Sequence, residues 1–157
     1  MIKKIFVLFI FLITSCGYQP LYKNNNLENL VFYKIDLEGD DRINRKIINS
    51  VSLKENSLNE ELNELIISSN FNILETSKNS KGQTETYRSI ITVEIKIIKD
   101  NEIKKRKVFS NETSYNKKEN KFELIKYQSN IKSNLINKTI EDMILFLNIK
   151  WLLNILI

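Results

Sequence analysis

Covalent chemistry needs a nucleophile, a base or a metal ligand, and this sequence is sparing with all three. It contains no histidine and one cysteine, Cys16. Without imidazole, the usual general base and the commonest metal ligand are missing. The three glycines, Gly17, Gly39 and Gly82, lie too far apart for a phosphate-cradling loop. Acidic residues do stand side by side, as Asp40-Asp41, Glu60-Glu61 and Glu141-Asp142. Adjacent positions on a helix diverge by about 100°, so these pairs read as caps and solvated faces rather than acid–base couples. Neither a metal site nor a cofactor site emerges, and no enzyme is expected. What chemistry remains belongs to Cys16.

Upstream of that cysteine, Lys3 and Lys4 are followed by an unbroken apolar run from Ile5 to Ile13. A basic start, a short apolar core and small residues before a cut describe a secretory signal peptide. The run is too short for a membrane span, which takes about 20 apolar residues. Thr14-Ser15-Cys16-Gly17, directly after an aliphatic residue, resembles the bacterial lipobox. In a lipobox the thiol is alkylated with diacylglycerol, the leader is removed, and the new amino terminus is acylated. Burial of a lipid chain contributes about 0.8 kcal/mol per methylene, so several chains anchor almost permanently. An ordinary signal with a chance cysteine is the alternative.

A mature chain beginning at Cys16 keeps enough residues for one domain with a single packed core. The formal charge of +5 falls to +3 once Lys3 and Lys4 leave, too small an excess for a nucleic-acid footprint. With Cys16 acylated no intrachain disulfide is available, so packing alone must hold the fold.

The elements that must position any functional surface follow from periodicity. Residues 16–30, with Asn24-Asn25-Asn26, read as a tether behind a removed 1–15 leader. Residues 31–149 form the folded domain, and 150–157 an apolar tail. Val31 to Asp36 is rich in β-branched and aromatic residues and predicts a strand. Asp40 or Asp41 then caps a helix whose apolar stripe is Ile43, Ile47 and Val51. Ser57-Leu58-Asn59-Glu60 fits a capping box and predicts a second helical turn through Leu62.

From Leu65 the period changes to two. Ile67, Phe71 and Ile73 oppose Ser68, Asn70 and Asn72, which is strand alternation. A loop around Gly82 leads to the clearest strand, with Tyr87, Ser89, Ile91, Val93, Ile95 and Ile97 on one face. Asp100-Asn101 supplies turn residues, and Ile103 to Tyr115 returns as a partner strand irregular enough to carry a bulge. Phe122 to Leu147 is a long amphipathic helix, with Ile131, Leu135, Ile140 and Met143 in its stripe and Lys132 and Lys138 on its wet side. The expected fold is α+β: a single four-stranded mixed or antiparallel sheet with two helices on one face.

Cys16-Gly17-Tyr18-Gln19-Pro20-Leu21-Tyr22 resembles the opening of the LPS-assembly lipoproteins (LptE family), whose alphaproteobacterial branch begins Cys-Gly-aromatic-x-Pro-Leu-Tyr. Ser114-Tyr115-Asn116 is similar to the Ser-Tyr-Asn that closes the family's last strand, and a long C-terminal helix follows there too. A sparse second strand, few arginines and a greasy tail are departures. The resemblance implies a lipid-anchored protein on the periplasmic face of the outer membrane. Such a protein would sit in the lumen of a β-barrel translocon subunit, help that barrel assemble, and bind lipopolysaccharide. Gly17 after the cysteine, in place of Asp, agrees with outer-membrane sorting. An unrelated outer-membrane lipoprotein with a structural or ligand-binding role is the other reading.

Candidate contact residues divide into two groups. Lys104, Lys105, Arg106 and Lys107 form the densest basic run and, by the same resemblance, are candidates for the phosphates of lipopolysaccharide, with Arg88 on the neighbouring strand. Alternation allows only Lys105 with Lys107, or Lys104 with Arg106, to meet one ligand. Lysines on a strand also serve to discourage edge-to-edge pairing, and Arg88 can instead pair with Glu85 or Glu112. Tyr18, Pro20, Leu21 and Tyr22 form a stiff segment beside the lipid, suited to docking on the domain or on a partner. Ser114, Tyr115 and Asn116 are expected to end a strand and cap the next element of the chain, with a partner-facing role as the alternative.

Overall fold

The computed structural model describes residues 30–154. The leader, Cys16 and the Tyr18–Tyr22 segment lie outside the described residues. In chain order the elements are β1 (Val31–Phe32), β2 (Lys34–Gly39), α1 (Asp41–Val51), β3 (Lys54–Glu55), β4 (Glu64–Lys78), β5 (Thr84–Lys99), β6 (Glu102–Asn116) and α2 (Lys121–Asn154). The main sheet has the order β2-β4-β5-β6. β2 runs parallel to β4, and the other two pairings are antiparallel. This is the α+β fold with a four-stranded mixed sheet and two helices.

Alternation in β5 holds along its length. Ser89, Ile91, Val93 and Ile95 are buried toward the helices, while Ile90 and Ile98 are half-buried on the opposite face. Asp100 and Asn101 both take positive φ, 54° and 61°, as a two-residue turn matched to strand twist requires. The bulge expected in the returning strand is present: Ile97 faces Lys105, but Ile98 faces Ile103. Lys104 is therefore the extra residue.

α1 is capped by Asp40, whose side chain accepts from the N–H groups of Arg42 and Ile43 at 3.0 and 3.1 Å. Its stripe of Ile43, Ile47 and Val51 is fully buried against the sheet and α2. α2 buries Ile131, Leu135, Ile136, Ile140, Met143 and Ile144 and lies over β5 and β6. Both helices thus cover one face, and the core is the layer between.

Three expectations need correction. The first strand is broken at Tyr33, whose N–H turns to the carbonyl of Asn63 at 2.9 Å, and β1 leaves to pair in parallel with β3. No helical turn forms at Ser57–Leu62. Asn56 and Asn59 side chains accept from the N–H groups two residues on, at 3.2 and 3.1 Å, and these local bonds compete with a helix. Leu58 is left 97 % exposed. Lys132 is not on a wet side: it is half-buried, with Nζ 2.8 Å from Asp40 and 5.0 Å from the Phe71 ring.

Candidate functional site

The sheet presents one face to the helices and leaves the other uncovered by any described element. On that open face, register aligns Ile66 with Lys96 and Arg106, and Leu74 with Arg88 and Ser114. The surface is a mosaic of aliphatic side chains and ion pairs. Glu94 accepts from Arg106 and lies 3.3 Å from Lys96. The Arg106 guanidinium, and then the Lys96 ammonium, hold the Glu94 carboxyl below its ordinary range against the opposing effect of burial. Arg88 lies 3.6 Å from Glu112, and its Nε donates to the Ser114 hydroxyl at 3.4 Å.

The basic run of β6 is distributed rather than gathered. Lys104 is bound to Glu102 at 2.6 Å, and Arg106 to Glu94. Lys107 turns to the helix side, 5.8 Å from the Phe109 ring and 5.4 Å from that of Phe146. Lys105, opposite Ile97, forms no ion pair among the described residues. The bulge removes Lys104 from strict alternation with Arg106. Four consecutive cations thus give one unpaired charge along an exposed edge, and no concave anion pocket.

Tyr115 belongs to the core. It is 7 % exposed, its hydroxyl meets the Ser89 hydroxyl at 3.2 Å, and its ring stacks on Tyr87 and meets Tyr127 edge-on. β6 ends at Asn116 as expected. The cap of α2, however, comes from Asn120, which accepts from the N–H groups of Phe122 and Glu123 at 2.8 and 3.3 Å. The capping part of the Ser114–Asn116 expectation is therefore corrected. Periodicity missed a polar clamp between β6 and α2. Asn111 donates to Thr139 at 3.1 Å and to Asp142 at 2.8 Å. An asparagine at an inward position of a strand was the available signal.

A second polar knot fixes the corner where β2 becomes α1. Gly39 turns at φ 85°, and the Asp40 N–H donates to the Ser69 carbonyl at 3.1 Å. Asn44, fully buried, donates to the Glu38 carbonyl at 2.8 Å. The Asp40 carboxyl is held below its ordinary range, first by the Lys132 hydrogen bond and then by the backbone N–H groups of Ile43 and Arg42, with burial opposing. A depressed carboxyl stabilises the fold above its unfolded pKa and stops doing so as pH falls through the folded value. Asp40→Asn keeps a capping oxygen but loses the charge. It is expected to cost about 1 kcal/mol at pH 7, given two partners about one-third exposed, with the deficit closing at an acid pH below the lowered folded value. Urea midpoints at the two pH values check this.

One open pocket of about 320 Å³ lies at the β5–β6 turn, lined by Tyr33, Glu60, Leu62, Glu64 and Lys99 among others. Its three carboxylates, Glu60, Glu64 and Asp100, outnumber Lys99 and disfavour a phosphate ligand. Among the described residues no group of three metal-ligating side chains occurs. No described helix is long and apolar enough to cross a membrane.

The domain is an α+β sandwich, and solved proteins share its fold. The rare lipoprotein B of Shewanella oneidensis matches with a TM-score of 0.54 at 14 % identity, covering 78 % of this chain and 98 % of that one. A lipoprotein from Caulobacter crescentus CB15 matches with a TM-score of 0.51 at 10 % identity, covering 76 % and 90 %. At such identity the likeness establishes the fold. No family model and no curated protein sequence matches the chain.

Proposed function

We propose that this chain is an outer-membrane lipoprotein, anchored through acylated Cys16, that plugs a β-barrel translocon and assists its assembly in lipopolysaccharide export. The observation that carries the reading is the Cys16–Tyr22 opening standing ahead of a fold found in bacterial lipoproteins. Membrane attachment, the periplasmic face and the barrel partner all belong to this proposal.

Physical features of the domain support it. Barrel lumens are polar and wet, and a body placed there needs charged side chains that are already neutralised. The open sheet face meets this need: Arg88, Lys96 and Arg106 each lie beside a carboxylate. β4, β5 and β6, of 15, 16 and 15 residues, extend about 50 Å at the usual rise per residue. Barrels carry an apolar band about 25 Å tall, so such a sheet would fill the height of a lumen. Phosphates of lipopolysaccharide on the open face would have to displace Glu94 or Glu112 to reach Arg106 or Arg88. Lys105, opposite Ile97, belongs to the other face.

The test is purification of the tagged full chain from detergent-solubilised outer membranes. The reading expects one β-barrel protein, several times larger, in equimolar amount. A monomer that binds neither barrel nor lipopolysaccharide would favour an unrelated structural or ligand-binding lipoprotein.

A further inference from the structure

The two long edges of the sheet are defended unequally. β6 forms one edge, and Lys104, Lys105, Arg106 and Lys107 line it, as suits a strand that must stay unpaired. β2 begins the other edge, where the Ile35 N–H is occupied by the Glu55 carboxylate at 3.1 Å. But β2 covers only half of β4. Its register ends with Gly39 opposite Ser69, because Gly39 turns the chain into α1. β4 continues to Lys78, paired there with β5 alone.

From Asn70 to Glu75, then, β4 is an edge strand without Lys, Arg, Pro or Gly. Its outward groups can be assigned. The Ser69 carbonyl accepts from the Asp40 N–H and so points away from β5. Backbone groups reverse sides at each residue, so Phe71, Ile73 and Glu75 present N–H and C=O outward. Ile73 and Leu74, on opposite faces, are 41 % and 49 % exposed. Register irregularities after Glu75 close the stretch.

We propose that the Asn70–Glu75 edge of β4 is a strand-addition site, extended by a segment of the partner protein in line with β2. Only an extended backbone matches a row of alternating donors and acceptors, and side chains on the two flanks then set specificity. The inference rests on the translocon reading, which supplies the occupant. Wall strands of a closed barrel have no edges to offer, so the added strand comes from a loop or soluble segment of the barrel subunit. Its residues alternate between apolar, beside Phe71 and Ile73, and polar, beside Asn70 and Asn72.

Amide exchange on the full chain, alone and in complex with the co-purified barrel subunit, tests this. Unpaired amides of Phe71, Ile73 and Glu75 exchange fast in the uncomplexed chain. They are expected to slow by about 100-fold in the complex, as ladder amides do, while the outer edge of β6 is unchanged. Ile73→Pro deletes an outward N–H without touching the β5 ladder, and is expected to weaken barrel retention by about tenfold. If the barrel binds and the three amides keep their rates, the edge inference is overturned and the translocon reading stands. If no barrel binds, both fall. If the slowing appears in the isolated chain in proportion to its concentration, a second copy occupies the edge, and the partner-strand inference is overturned.

Discussion

Gly39→Ala is expected to destabilise the domain by about 3 kcal/mol. A Cβ at this position would lie 1.9 Å from the Ser69 carbonyl oxygen, a backbone atom in the middle of β4. Relief would have to come from the corner itself. Moving β2 away breaks the Asp40–Ser69 hydrogen bond, disturbs the α1 cap and pulls Asp40 from Lys132. The positive φ of 85° adds its own penalty for a residue with a side chain. Gly82 is the built-in comparison. It also has positive φ, 74°, but a Cβ there meets nothing within 4 Å, so Gly82→Ala should cost about 1 kcal/mol. Denaturant midpoints for the two variants separate steric clash from backbone preference. Equal losses would mean that the corner is not packed as described.

Ile91→Ala is expected to cost at least as much, about 3–4 kcal/mol. Ile91 is fully buried in the central strand β5, which α2 overlies, and rigid neighbours on the sheet leave little room for collapse around the vacated volume. Its neighbour Ile90 points to the open face and is half-buried, so Ile90→Ala should cost about 1 kcal/mol. Thermal or urea unfolding of the pair reads out strand facing directly. Near-equal losses would require a covered open face, contrary to the fold.

Much of this architecture was legible because it is periodic. Tyr87 to Ile97 alternate without a slip on the helix side, and the α2 stripe repeats at three and four, so burial of each face follows from geometry alone. The corner at Asp40 was legible as a cap, but not as a partner of Lys132. That contact joins residues 92 positions apart, and no local pattern encodes it. The β1–β3 pairing was hidden for a similar reason: two-residue strands carry no period, and a long-range bridge defines them. At Ser57–Glu60 a helix signal met asparagines that bond to their own turns, and the turns prevailed.

The candidate site was less legible than the fold. Sequence spacing marks Lys104–Lys107 as a dense positive run. Charge on a strand, however, is spent by whatever stands opposite, and Glu102, Glu94 and the Phe109 and Phe146 rings take three of the four. Tyr115, conspicuous in the Ser-Tyr-Asn motif, proves to be a core aromatic. The feature with most consequence, an undefended half-edge on β4, depends on where β2 stops. One glycine decides that, through a contact with a strand 30 residues away.

The proposed role requires that Cys16 hold the protein at a membrane, since a plug acts only where it is placed. Intact mass measurement of the protein isolated from membranes tests this most directly. The predicted result is a chain beginning at Cys16 and heavier than its sequence by a diacylglycerol and an amide-linked acyl group. A bare Cys16 thiol, or a retained leader, would contradict it.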